Sequence, residues 1–317
     1  MKEQKDELKK QEKSTEATGM AQSYEILKKQ RERWASQEVT GERFLVPRSG
    51  KPGVQTILYR PEHAGDGPLP VFVNMHGGAW IGGDAVLMDT FCRKMADELG
   101  AFAVNINYTK VDVCPLPYAQ EEAADVILYF AEHAEQYGIN PEKIIVGGHS
   151  AGAHLACCAG ILLAGKNFAL AGEMLVYPVA DLTREEEVIA LARSVMHPDI
   201  PWDDPVLSPA KAPDEVLRRT PPALFILCGK DELLKSGKDY MLRLMEAGVE
   251  VKAKEYPAAE HGFLETNQPE YPDSDPRKNA EQAVYARDCE AYLVRELRTF
   301  LNENLNENVL PGTKNSL

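Results

Sequence analysis

The sequence predicts an α/β fold, with a mostly parallel central sheet flanked by helices on both faces. Three observations predict it. Short apolar, β-branched runs alternate with longer amphipathic runs from about residue 44 to residue 302, the pattern of strands joined by helical crossovers. The run Lys143-Ile144-Ile145-Val146 passes through Gly147-Gly148 into a small-residue helical stretch. A length of 317 residues with 44% hydrophobic content suits one large domain better than two.

Taken in order, residues 1–19 are almost entirely polar or charged and read as a mobile tail. Residues 20–305 read as a single domain, and 306–317 as a C-terminal tail. Tyr24, Leu27, Arg31 and Trp34 share one face of a helix over Ser23–Gln37. Phe44–Pro47 and Thr56–Arg60 read as strands joined by a turn around Ser49–Gly53. Val71–Met75 and Ala101–Asn107 are buried strands, with a helix over Leu87–Leu99 stopped by Gly100 between them. A helix over Gln120–Tyr137 ends at Gly138, before the strand Lys143–Val146. Glu173–Tyr177, Ala223–Cys228 and Val249–Tyr256 complete the strands, with a helix over Lys238–Ala247 and a long final helix over Gln282–Asn302. Leu182–Pro209 and Asn267–Lys278 fit no core element and read as lid and rim segments; a rim beside His261 suits polar alcohols.

The net charge of −14 argues against a nucleic-acid partner, since phosphate binding needs clustered Lys and Arg. No run of eighteen apolar residues exists to span a bilayer. The charged start Met1-Lys2-Glu3-Gln4-Lys5-Asp6-Glu7 lacks the apolar stretch of a signal peptide, which predicts a cytoplasmic protein. Its six cysteines show no metal-ligand spacing and read as reduced thiols.

Gly148-His149-Ser150-Ala151-Gly152 matches GxSxG. Its setting carries the weight, because it follows a strand and opens the helical run Ala153–Leu163. A nucleophilic serine on a sharp strand-to-helix turn needs small neighbours, since larger side chains would clash with the backbone packed beside it. The plainer alternative is a glycine-rich helix entry with Ser150 as N-cap.

His76-Gly77-Gly78-Ala79-Trp80 follows the strand Val71–Met75. Acyl transfer places negative charge on the carbonyl oxygen, which needs preorganised N–H donors in a water-poor site. The N–H groups of Gly77, Gly78 and Ala151 are the candidates. His76 reads as a brace for this loop. An acid and a base must then follow in the order Ser, Asp, His. Asp231 comes just after the strand Ala223–Cys228, and His261 a short loop after Val249–Tyr256; catalytic groups of open α/β sheets gather at such strand ends. His261 is the candidate base and Asp231 the carboxylate that orients it, with Glu232 a competing acid. Trp80, His149 and Trp202 are candidate substrate contacts, Trp202 reading equally well as a core residue.

These residues resemble the hormone-sensitive-lipase-like branch of the α/β-hydrolases, which includes many carboxylesterases and acetyl esterases. The likeness runs from about Pro70 to Phe263. It takes in HGGAW at 76–80, Asn107-Tyr108 leading to Pro117, GHSAG at 148–152, Ser208-Pro209, GKDELL at 229–234 and HGF at 261–263. The resemblance implies the α/β-hydrolase fold, a triad of Ser150, Asp231 and His261, oxyanion donors at Gly77, Gly78 and Ala151, and no cofactor. It also implies a small lid made by the N-terminal helix near 23–37 and an insertion after the sixth strand near 182–209. The chain departs from the branch at Ala79, where a third glycine is usual, and around the nucleophile. There GHSAGAHL at 148–155 also resembles kynurenine formamidase and feruloyl or acetylxylan esterases.

The expected function is therefore cleavage of short-chain carboxylic esters, with acetyl or small acyl or aryl groups, through an acyl-enzyme. An arylformamidase-type amidase would use the same triad. A non-catalytic small-ligand receptor on this fold would lack a triad member, and all three are present. The expected partner is a small-molecule ester, with no nucleic acid and no membrane; a homodimer through a sheet edge or the final helix would be ordinary for this fold.

Overall fold

The computed structural model describes residues 22–303, apart from 23, 30 and 66. The two expected terminal tails lie outside the described residues. Its strands are β1 (Glu42–Arg48), β2 (Lys51–Tyr59), β3 (Leu69–Met75), β4 (Phe102–Asn107), β5 (Ile139–His149), β6 (Gly172–Val176), β7 (Ala223–Cys228) and β8 (Val251–Tyr256). They form one sheet in the order β1-β2-β4-β3-β5-β6-β7-β8. β2 pairs antiparallel with both β1 and β4, and every later pairing is parallel.

Around the sheet lie α1 (24–29 and 31–34), α2 (Asp89–Leu99), α3 (Tyr118–Glu132), α4 (Ala134–Tyr137), α5 (Ala151–Gly165), α6 (Glu187–Val195), α7 (Asp214–Leu217), α8 (Leu234–Glu246), α9 (Phe263–Thr266) and α10 (Ala280–Glu303). Alternation along β3 divides the core in two. Val71, Val73 and Met75 pack with α3, α5 and α8 on one face, while Phe72 packs with α2 and α10 on the other. Burial on both faces explains why the inner strands read as continuous apolar runs. α5 is buried on nearly every side, which is why its sequence shows no polar stripe.

Several elements differ from the sequence expectation for local reasons. The helix expected from Leu87 begins as a 3-10 turn over Ala85–Met88, capped by Asp84 accepting the Val86 N–H at 3.0 Å. The helix expected over Gln120–Tyr137 breaks at His133 into α3 and α4. Leu182–Pro209 contains α6, and α7 and α9 are single turns too short to show periodicity. Among the described residues no helix is long and apolar enough to cross a membrane.

Because β3, β5, β7 and β8 run parallel, their C-terminal ends share one edge. The segments carrying His76–Trp80, Ser150, Asp231 and His261 all leave the sheet there.

Candidate active site

β5 passes into α5 through Ser150, whose φ of 54° and ψ of −115° are sterically strained for a residue with a side chain. The surroundings hold it there. Its N–H donates to the Val176 carbonyl at 2.9 Å, and its own carbonyl accepts the His154 N–H at 3.0 Å. Gly152 is obligatory, since a Cβ at that position would collide with the backbone carbonyls of Met75 and His76.

The Ser150 Oγ lies 2.8 Å from His261 Nε2, and His261 Nδ1 lies 2.6 Å from Asp231 Oδ2. The other Asp231 oxygen accepts the Leu233 N–H at 2.9 Å, which fixes the carboxylate plane. Since Nδ1 donates to Asp231, Nε2 presents its lone pair to the serine hydroxyl. Burial disfavours a charged His261 ring, but the hydrogen bond and charge of Asp231 outweigh it, with Glu265 adding to the effect, and the pKa is raised. Glu232, the competing acid, turns away and caps α6, accepting the N–H groups of Glu187 and Val188 at 3.0 and 3.2 Å.

The loop after β3 approaches Ser150 closely: a Cβ on Gly77 would lie 3.5 Å from the Ser150 Cβ. Gly78 takes φ 131°, and Ala79 and Trp80 follow with φ of 52° and 60°. His76 is fully buried and stacks on Tyr108 at 4.5 Å. Its Nδ1 donates to the Gly77 carbonyl at 2.6 Å, so Nε2 is left to accept from Lys110 Nζ at 3.0 Å. In a trans peptide the C=O and the next N–H point opposite ways. Anchoring the Gly77 carbonyl on His76 therefore turns the Gly78 N–H away from His76. The Ala151 N–H opens α5, at a helix N-terminus where backbone donors lack intrahelical acceptors. Burial, with help from Lys110, pushes the His76 pKa far down and keeps the ring neutral. Burial also lowers Lys110 to about 7.

A cavity of about 280 Å3 opens above Ser150 and His261. The loop after β3 forms one wall through Gly77, Gly78 and Ala79. α1 supplies Leu27, Arg33 and Trp34, and α6 supplies Val188. The segment beyond α9 supplies Tyr271, Pro272, Asp275 and Arg277, and Glu265 of α9 reaches in beside His261. α1 is pinned by Arg31, whose guanidinium meets the Asp112 carboxylate at 2.5 and 2.7 Å and the Ile81 carbonyl at 3.1 Å.

A strained serine at a strand-to-helix turn, ordered ahead of an Asp and a His at later strand ends, matches a known family. The family model described as "alpha/beta hydrolase fold" matches residues 72–265. The chain belongs to the α/β-hydrolase family. An AB hydrolase superfamily protein of Schizosaccharomyces pombe is 30% identical over 234 residues, covering 67% of this chain and 69% of that one. A protein named carboxylic ester hydrolase LipN, from Mycobacterium tuberculosis, is 31% identical over 228 residues, 65% of this chain and 60% of that protein. Among solved structures, a thermostable esterase from Pseudomonas putida ECU1011 superposes with a TM-score of 0.74 at 22% identity, covering 89% and 90% of the two chains.

Within this α/β hydrolase, three residues singled out by sequence do not line the cavity. Trp80 is fully buried and donates its indole N–H to His154 Nδ1 at 3.0 Å, beneath the loop. His149 is fully buried against Phe91, because the residue before Ser150 on β5 points into the far core. Trp202 packs on the main core, with the Arg193 guanidinium 5.7 Å from its ring. Other contributors escaped sequence reading. Lys110 and Glu265 are charged residues that normally face water. The one signal for Glu265 was its place a single turn beyond His261.

Proposed function

We propose that this chain is a serine esterase that cleaves short-chain carboxylic esters through an acyl-enzyme, with Ser150 as nucleophile, His261 as base and Asp231 as orienting acid. The observation that carries this reading is the continuous path Ser150 Oγ–His261 Nε2 at 2.8 Å and His261 Nδ1–Asp231 Oδ2 at 2.6 Å, at the floor of a cavity. His261 takes the Ser150 proton as Oγ attacks the ester carbonyl. The tetrahedral oxyanion is met by the N–H groups of Gly77, Gly78 and Ala151. The imidazolium, stabilised by Asp231, then protonates the departing alcohol, and water repeats the sequence to release the acid.

The relative named as a carboxylic ester hydrolase supports the ester as substrate. A cavity of about 280 Å3 lies just below the usual range for small-molecule sites, which favours small acyl and alcohol groups. We read α1 and the α6 segment as the two halves of a lid, because Leu27, Trp34 and Val188 cover the cavity. The six free thiols, five of them buried, support a cytoplasmic setting. A panel of p-nitrophenyl esters of increasing acyl length tests the reading. kcat/KM is expected to be highest for acetate to butyrate and to fall at longer chains; turnover that rises with chain length contradicts it.

A further inference from the structure

Glu265 has no part in the proton path, yet its carboxyl group stands at the catalytic floor. The residue is only 5% exposed. One oxygen, Oε2, accepts a hydrogen bond from the Tyr177 hydroxyl. Burial and the neighbouring Glu265 carboxylate push the Tyr177 pKa far up, so that phenol stays protonated and remains a donor. Its ring lies 4.9 Å from the His261 ring. The other oxygen, Oε1, receives no hydrogen bond from any described residue, and it lies 2.6 Å from where a Cβ on Gly77 would stand. Arg277 lines the same cavity; its Nε and Nη2 bind Asp275 at 3.0 and 2.8 Å, and no ion pair within 4.0 Å joins it to Glu265. Oε1 keeps access to the cavity, and a substrate that fills the cavity leaves it without a donor unless the substrate itself supplies one.

We propose that Glu265 Oε1 is a specificity subsite that accepts a hydrogen bond from a hydroxyl group on the substrate, within a few bonds of the scissile ester. The placement fits. Gly77 holds the carbonyl end of a bound ester, so a hydroxyl on the adjoining acyl or alcohol carbons falls beside Oε1. A site built to bond a substrate hydroxyl discriminates strongly against the analogue without it, because the protein group is then left buried and unpaired. This inference rests on the serine-esterase reading and names the substrate class within it.

Two matched ester pairs test it: methyl glycolate against methyl acetate for a hydroxyl on the acyl side, and 2-hydroxyethyl acetate against ethyl acetate for one on the alcohol side. Each kcat/KM is divided by the rate of hydroxide-catalysed hydrolysis of the same ester, which removes intrinsic reactivity. In the unmodified enzyme one pair is expected to favour the hydroxylated member by about tenfold or more. Glu265→Gln reverses the polarity of the subsite. Tyr177 donates to the amide oxygen, which leaves the amide NH2 facing the cavity as a donor. A substrate hydroxyl can still accept from that NH2, but the charge-assisted bond to a carboxylate is gone, so the preference should weaken by about threefold or more. Ratios are taken within each enzyme, so a general loss of turnover does not enter them. Glu265→Asp, which withdraws the acceptor by one methylene, should weaken the same preference and serves if the Gln variant does not fold. Hydrolysis of both members without preference, or a preference unchanged in both variants, overturns the subsite and leaves the esterase reading intact. Hydrolysis of no ester overturns both.

Discussion

Lys110 Nζ lies 3.0 Å from His76 Nε2 and only 7% of the residue is exposed, placing an amine directly beneath the loop after β3. It also donates to the Asn107 side chain at 3.0 Å and to the Tyr108 carbonyl at 2.7 Å. The contact supports the His76 tautomer that the Gly77 carbonyl requires, and with it the orientation of the Gly77–Gly78 peptide.

Lys110→Met removes the donor while keeping the bulk of the stem. kcat is expected to fall about tenfold with little change in KM, because the Gly78 N–H loses its fixed direction rather than its chemistry. Steady-state kinetics on p-nitrophenyl acetate read the split; an unchanged kcat would show that the loop holds itself.

The same lysine makes stability depend on pH. Burial lowers its folded pKa to about 7, against the carboxylates of Asp84, Glu122 and Asp112, which raise it, and Arg31, which lowers it further. The unfolded chain carries this amine at the ordinary lysine value near 10.4. Between these values the unfolded state binds the extra proton. The destabilisation is thus full below about pH 7 and fades as pH rises through the window. Urea midpoints should climb from pH 7 to pH 9 more steeply for the natural chain than for Lys110→Met. Parallel profiles would contradict this.

His261 must be neutral to accept the Ser150 proton, and its pKa is raised by Asp231 against the effect of burial. kcat/KM should therefore fall with acid as pH drops through that raised value. Asp231→Asn removes the charge, so the acid limb should move to lower pH while kcat falls by about 10⁴. An acid limb that stays in place assigns the titration to another group.

Ala79 occupies φ 52°, where a side chain is strained by about 1–2 kcal/mol. Ala79→Gly relieves that strain, partly offset by the extra freedom glycine gives the unfolded chain. A net gain of about 0.5–1 kcal/mol in urea unfolding is expected, and a loss would show that the Ala79 methyl packs usefully against the cavity wall.

Arg31 clasps Asp112 and the Ile81 carbonyl, which ties α1 across the loop. In Arg31→Ala the helix should loosen. KM for short esters should rise about three- to tenfold, with kcat within about twofold, and trypsin should cut at Lys28 or Lys29 sooner. Unchanged KM and proteolysis would mean that Leu27 and Trp34 suffice to seat it.

The order of strands and helices was legible because strand and helix periods persist over many residues, and Gly100 and Gly138 mark real helix ends at φ 60° and 65°. The meeting of Ser150, Asp231 and His261 was legible for a related reason. Each leaves the C-terminal end of a parallel strand, so chain order translates directly into position along one edge. Side-chain direction was not legible. His149 alternates away from Ser150 into the far core, and Trp80 turns under its own loop through two successive positive φ values. Lys110 and Glu265 were invisible because their burial depends on segments distant in sequence: β3 and its loop for the lysine, and Tyr177 for the glutamate.

The central claim is that Ser150 is a nucleophile activated by His261. Stoichiometric labelling with a fluorophosphonate, followed by peptide mapping, tests it most directly. The account predicts one label per chain on Ser150, no label in Ser150→Ala or after denaturation, and ester turnover in Ser150→Ala reduced by at least about 10⁴. Folded protein that takes no label, with ester hydrolysis undiminished in Ser150→Ala, would contradict it.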